Sequence, residues 1–462
     1  MTVVGAGLCA VIFIHACHAG TASAAEVTRV QSGFDDARRF DFNIALAWNH
    51  EQRQSVINRE LASGASTSQA RLINDLIYHR SRDVLHAHIE MGVLRDVGLH
   101  VDLPYVLRDD RDLGFDQREG SGCVFPGGAG MPTCVNEQSS TLLRDGVLPG
   151  AGAAMYGVDA RSGGQFSRPS GTVFRGPRRS GLESLGVGAS WALMNQARDD
   201  TRPTWILGID AKFDVGTTMR YDAGDPGGNT GVGLGYHQLA GAMLMSKRLG
   251  AMDPYWGVSY MFPFAGSESP FSRYPNDNQP HARPQSRANV MFGFEFVPWE
   301  RPEISQRVVF EARVRGEHRF QGSSHSELWE PLSGSSGCGA SGGAACRPGL
   351  DLDLDGDGTP DRPHPGVTET QAYSTLGGDL GFSVQAGKHT RFRGLFGYSS
   401  DLSHFITFAT AGTDRDGDGR VDSMNPREAN PAFREVLDIP GRRFKVNGSH
   451  IWNLTVELIA VF

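Results

Sequence analysis

No apolar run of about 18 residues follows position 25 of this 462-residue chain, and mean hydropathy is −0.31, which excludes a bundle of membrane-spanning helices. Positive charge is also short. Lys and Arg number 44 against 52 Asp and Glu, a formal charge of −8 that leaves no basic stripe for phosphates, so nucleic acid is excluded as a partner. Cysteine is limited to six residues, without the CxxC spacing or nearby His pair of a zinc site. No nucleophile can be assigned together with a base and an orienting group, so the chain is not read as an enzyme. None of these absences removes a β-barrel, which hides its lipid-facing residues at every second position and keeps average hydropathy low.

Residues 1–24 read as a secretory signal, with an apolar stretch from Leu8 to Ile14 and Ala22-Ser23-Ala24 as the cleavage site. The mature chain then begins near Ala25, and residues 25–37 form a periplasmic N-terminal segment. Met1 to Gly7 has no Lys or Arg, a departure from such signals. A rival reading takes Ile14-His15-Ala16-Cys17 as a lipoprotein site. Both place the protein outside the cytoplasm. Beyond the signal, Cys123 with Cys134 and Cys338 with Cys346 form two close pairs in Gly/Pro/Ser-rich sequence, which fits two local disulfides in an oxidising compartment.

Alternation organises the rest. Phe40, Phe42, Ile44, Leu46 and Trp48 occupy even positions between small or polar residues, the mark of a strand with one apolar face. The pattern returns from Leu85 to Val93 and from Val97 to Leu103, joined by a tight turn at Arg95-Asp96, and recurs to the end of the chain. About twelve such strands are expected, each long enough to cross a bilayer. Connections alternate between short turns and longer segments at 51–80, 108–181, 217–229, 265–286, 321–371 and 402–441. The fold class is therefore all-β: a transmembrane, antiparallel, up-and-down barrel over residues 38–462, with short periplasmic turns and long extracellular loops. Within 51–80, Val56, Ile57, Leu61, Leu72, Ile73, Leu76 and Ile77 have near-helical spacing, suggesting a short amphipathic helix in the first loop.

The final strand, Trp452 to Phe462, carries its apolar residues at alternate positions and ends in an aromatic. Here the sequence resembles the outer-membrane β-barrel proteins of Gram-negative bacteria. That resemblance implies outer-membrane lipid as the surroundings, and Phe462 as a signal to the barrel-insertion machinery.

Two acidic loops share the spacing D-x-D-x-D-G-x-x-D or close to it: Asp353, Asp355, Asp357 and Asp361, then Asp414, Asp416, Asp418 and Asp422. Carboxylates so spaced about a turn-forming Gly suit Ca²⁺ and its six to eight oxygens. The loops resemble thrombospondin type 3 calcium repeats, which implies these eight residues as ligands, with Asp351 as a further donor. The twelfth position is His364 in one loop and Asn425 in the other, so the bidentate Glu of an EF-hand is missing there.

The inferred inward face carries His86, His88, Glu90, Asp210, Lys212, Glu311, Arg313, Arg315, Glu317 and Arg319. Mixed signs in a narrow barrel either line an aqueous path or pair and close it. His86 and His88 share a face with Glu90, though polar lumen groups explain them more simply than a metal does. The reading that follows is a channel or porin-like protein for an unidentified small solute, with Ca²⁺ stabilising its outer loops. One alternative is a surface adhesion or recognition barrel displaying those loops to a cell-surface ligand; a second is an outer-membrane hydrolase.

Overall fold

The computed structural model describes residues 25–33, 41–63, 66–116, 147, 158–159, 164–165, 172–221, 227–266, 269–271, 279–335, 364–423, 425 and 427–462. Twelve strands among them close into one antiparallel barrel. They are β1 (Phe42–Ser63), β2 (Ser66–Leu94), β3 (Val97–Phe115), β4 (Leu185–Met194), β5 (Thr204–Phe213) and β6 (His237–Ser246). The second half comprises β7 (Met252–Phe264), β8 (Arg287–Arg301), β9 (Gln306–Arg319), β10 (Tyr373–Ala386), β11 (Thr390–Asp401) and β12 (Phe444–Val461). Each strand pairs with its sequence neighbour. β12 returns to β1, from Val461 opposite Asn43 to Phe444 opposite Arg59, and closes the ring. At that seam Phe462 N donates to Phe42 O at 2.9 Å, and the two rings lie 6.1 Å apart.

The period-two pattern sorts residues exactly as a pleat requires only when its apolar half faces outward. Phe292 is 56% exposed, Val314 63% and Leu380 67%, whereas inward Glu311 and Asp379 are buried. Aromatic residues ring both ends of this apolar band: Trp191, Trp299, Phe392 and Phe462 near the short turns, Phe213, Tyr260, Phe264 and Phe320 near the long loops. A continuous apolar surface of this kind is unfavourable in water and matched to a bilayer, whose interfaces hold the aromatic belts. The tightest turn is the β2–β3 hairpin, where Asp96 takes a left-handed φ of 61°.

The strands differ in reach. β4, β5 and β6 have 10 residues each, enough to cross a bilayer, while β1 has 22 and β2 has 29 and they rise well beyond their neighbours. This corrects the expected loop at 51–80, which is the overhanging upper part of one hairpin, with no helix. Its near-helical spacing arises because register shifts at Ser55/Ile57 and Ile57/Asn58 interrupt strict alternation. Ile57, Ile73, Leu76 and Tyr78 from the overhang are buried against Leu328, Trp329, Leu332, Ile406, Leu437 and Phe444. Together they make an apolar dome over the long-loop end. Arg443 anchors it to β1 with a two-pronged pair, Nε and Nη2 each 2.9 Å from Glu60.

The dome contains two short helices, α1 (Trp329–Ser335) and α2 (Glu435–Asp438), and a small ladder pairing Gly322–Ser324 with Thr368–Thr370. Arg179, completely buried, ties its parts together. Its Nε donates to Glu330 Oε1 at 2.8 Å, Nη1 to the carbonyls of Asn229 and Gly231 at 3.1 Å, and Nη2 to Arg220 O at 2.9 Å. The guanidinium also stands 4.9 Å from the Trp329 ring.

Residues 25–33 do not hang free below the barrel. They lie within its short-turn mouth, where Gly33 N donates to Leu94 O at 3.0 Å and Asp96 N to Ser32 Oγ at 2.9 Å. Gly33 and Gly92 allow the crossing: a Cβ on Gly92 would stand 2.2 Å from Ser32 C.

Candidate functional site

The inward residues form two storeys. The lower one contains His86, His88, Glu90, Asp210 and Glu311, and paired groups fill much of it. His88 Nδ1 is 2.7 Å from Asp102 Oδ1, and His100 Nε2 is 2.6 Å from Asp210 Oδ1. Arg393 Nη2 donates to Glu311 Oε2 at 2.6 Å, and Tyr255 OH to Glu311 Oε1 at 2.5 Å. Glu90 Oε1 receives Gln31 N at 3.5 Å, so it faces the N-terminal segment. These partners account for His88 and Glu90 without a metal.

Two of the pairs that join non-neighbouring strands pass over a glycine on the strand between them. His100 on β3 reaches Asp210 on β5 above Gly188, where a Cβ would stand 2.3 Å from Nε2 and 2.5 Å from Oδ1. Tyr255 on β7 reaches Glu311 on β9 above Gly293, whose Cβ would come 2.6 Å from the Tyr255 ring. Removing the side chain from the middle strand opens the space the bridge occupies.

The upper storey encloses a cavity of about 830 Å³. Lys212, Arg313, Arg315, Glu317 and Arg319 line it, as the alternation predicts. Asp379 joins Arg313 Nε at 2.8 Å and Arg315 Nε at 3.2 Å, while Arg319 Nε lies 2.5 Å from Glu317 Oε1. These pairs run along the wall between close positions and leave the centre open. Lys212 makes no ion pair among the described residues.

Sequence reasoning missed Arg53, whose Nη2 bridges Glu327 at 2.7 Å and Asp401 at 2.6 Å on the cavity wall. The signal was available: Glu51 and Arg53 continue the odd-numbered polar face that includes Asn43 and Asn49. Asp379 and Arg287 were likewise missed on alternating strands.

Of the acidic loops, only the second falls within the described residues. Asp414, Asp416 and Glu428 each present an oxygen within 4.8 Å of the others. Gly417 and Gly419 N donate to Asp414 at 2.7 and 2.8 Å, and these two amides hold its carboxyl below the usual range. Asp416 Oδ1 receives Asp418 N at 3.1 Å, and Asp418 Oδ1 receives Arg420 N at 2.8 Å. Glu428 was not foreseen. It lies three residues beyond Asn425, brought back by a turn in which Glu428 N donates to Asn425 O at 2.9 Å, and its Oε2 receives Asp422 N at 3.0 Å. Asp353, Asp355, Asp357, Asp361, all four loop cysteines and the signal segment lie outside the described residues.

No family model matches the chain, and no curated relative does either. Among solved structures, an outer membrane channel from Pseudomonas putida F1 aligns over 91% of this chain and 96% of its own, at 9% identity and TM-score 0.38. A FadL homologue from Pseudomonas aeruginosa covers 91% and 90% at 6% identity and TM-score 0.29. The outer membrane protease OmpT from Escherichia coli covers 94% and 100% at 6% identity and TM-score 0.26. A channel and a protease stand side by side in this set, so these likenesses say nothing about activity.

Proposed function

We propose that this chain is a Gram-negative outer-membrane channel for small hydrophilic solutes, with its short turns in the periplasm and its dome outside the cell. The observation that carries this reading is the cavity of about 830 Å³, lined by charged groups of both signs inside a barrel whose outer wall is apolar. In the upper storey the ion pairs Arg313–Asp379, Arg315–Asp379 and Arg319–Glu317 keep to the wall and leave the space between them open, which favours passage there over a filled core. Export through the signal at residues 1–24, insertion signalled by Phe462, and disulfides Cys123–Cys134 and Cys338–Cys346 in the outer loops belong to the same proposal.

Calcium is proposed for both acidic loops. In the second, Asp414, Asp416 and Glu428 would supply oxygens, with Asp418, Asp422, backbone and water completing the shell. Hard carboxylate oxygens around an exposed turn fit the weak extracellular class of site, with Kd of roughly 0.1–1 mM.

The dome favours a second reading, in which a closed barrel displays calcium-stiffened loops for surface recognition. Planar-bilayer recording of the purified mature protein decides between them. Ohmic conductance, with selectivity shifted toward cations by Lys212→Glu, supports the channel. Silence with and without calcium overturns it in favour of the display barrel.

A further inference from the structure

Residues 25–33 form a crossbar. One end is fixed at the β2–β3 turn, where Ser32 Oγ receives Asp96 N and also Arg198 Nη2 at 3.0 Å. The other end reaches across the lumen: Thr28 Oγ1 lies 2.6 Å from Ser246 Oγ on β6, and Glu26 N donates to Glu295 Oε1 at 2.7 Å on β8. Glu26 also pairs with Arg391 on β11. In a twelve-strand ring β2 and β8 are half a turn apart, so the segment follows a diameter.

Its far end meets a cluster of carboxylates and arginines in which Asp253 is left without a salt bridge among the described residues. Asp253 on β7 stands directly opposite Glu295 in the β7–β8 register, a separation of roughly 5 Å between Cβ atoms. Asp253 is wholly buried beside the Ser246 hydroxyl, and neither carboxylate oxygen has a hydrogen bond of ordinary geometry among the described residues. The cations around it already have carboxylate partners: Arg307 pairs with Glu295 itself at 3.2 Å, Arg248 with Glu300 at 2.6 Å and Arg391 with Glu26, although Arg307 Nε and Arg391 Nη2 have no hydrogen-bond partner among the described residues. Arg29 lies 4.0 Å from Glu26, within electrostatic reach of Asp41, Glu90 and Glu295. A buried carboxylate without a donor is costly, so Asp253 has room for one further charged donor.

Ala25, fully buried, is the residue on which cleavage after Ala24 would create a free ammonium. Its nitrogen is one residue from Glu26 N, roughly 3–4 Å along the backbone from the atom already bonded to Glu295. We propose that Asp253 and Glu295 form a receptor for the α-ammonium of the mature chain, which locks residues 25–33 across the periplasmic mouth once the signal is removed. The uncleaved chain has a neutral amide at this position and cannot supply the charge. The proposal rests on the export reading and is independent of whether the barrel conducts.

The test uses mature protein purified from outer membranes into detergent. Intact mass should place the first residue at Ala25. Acylation of the α-amine by a small amine-reactive reagent is then timed at neutral pH in folded protein and in the same chain unfolded by urea. Only the free base reacts, so a raise of about one pKa unit slows labelling roughly tenfold. The folded protein should label at least that much more slowly. The double variant Asp253→Asn, Glu295→Gln should recover most of the rate while keeping the heat-dependent gel mobility of a folded barrel. A different first residue, equal rates in folded and unfolded wild type, or undiminished protection in a folded double variant would each overturn the proposal. Where the double variant fails to fold, Asp253→Asn alone, which leaves the Glu295 contact to Glu26 N in place, is compared with wild type, and undiminished protection there overturns the proposal.

Discussion

His100 Nε2 and Asp210 Oδ1 lie 2.6 Å apart although a whole strand, β4, runs between their own. The contact exists because Gly188 leaves a gap in the wall. Gly188→Val would place a Cβ 2.3 Å from the imidazole nitrogen, so the ring must swing away and the pair must break. The expected loss is about 1–3 kcal/mol, read as a lower temperature for heat-dependent unfolding in detergent. Gly208→Ala is the control: its nearest neighbour would be Ala242 Cβ at 3.7 Å, and stability should stay unchanged.

Arg179 and Glu330 test how the dome is held. Glu330→Ala leaves the buried guanidinium without its carboxylate, a loss of about 3–5 kcal/mol for such a pair. The effect should be local. Segments that receive Arg179, at 216–221, 227–236 and α1, should become sensitive to limited proteolysis while the barrel strands remain protected; equal protection in the variant would contradict this role.

Calcium should bind with a stoichiometry near two in titration calorimetry, one for each acidic loop. Glu428→Gln with Asp414→Asn should remove one of the two, and barrel melting should not move: Glu428 is buried, but its side-chain hydrogen bonds are to Asp422 and Asn425 of the same loop, and none among the described residues is to a barrel strand. Retention of both sites would show that Glu428 is not a ligand.

Acid and neutral pH should act on the dome through different groups. Burial, then Arg111 and Arg179, push His325 down to about 3. Its contribution is complete above its ordinary 6.5 and is lost as pH falls toward about 3. Burial pushes Asp438 up to about 7, so its contribution is complete below its ordinary 3.8 and falls away as pH rises through about 7. His325→Phe should therefore flatten the acid limb of a protease-resistance profile, and Asp438→Asn the neutral limb.

Much of the barrel was legible because lipid imposes a rule on single residues. From Phe292 to Phe296 or Leu454 to Leu458, each side chain states its face without reference to its partners. The overhang at 51–80 was not legible, because above the bilayer the outer face no longer has to be apolar and bulges disturb the period. Glu428 escaped notice because its place depends on the turn at Asn425, three residues past the position a standard loop would use. The glycine bridges were hidden for another reason: they depend on three strands at once, and Gly188 gains its meaning only when His100 and Asp210 are known to flank it.

The seam between β1 and β12 joins the strands at opposite ends of the barrel, so the ring remains an open sheet until the last strand arrives. The bar at residues 25–33 precedes β1 and occupies the interior of that ring. Assembly consequently has an order built into its topology: the bar is either enfolded as the seam zips shut or threaded afterwards through a mouth bounded by Asp96 and Glu295. Enfolding requires no passage through a finished wall, and it makes the segment ahead of the first strand a passenger of the last.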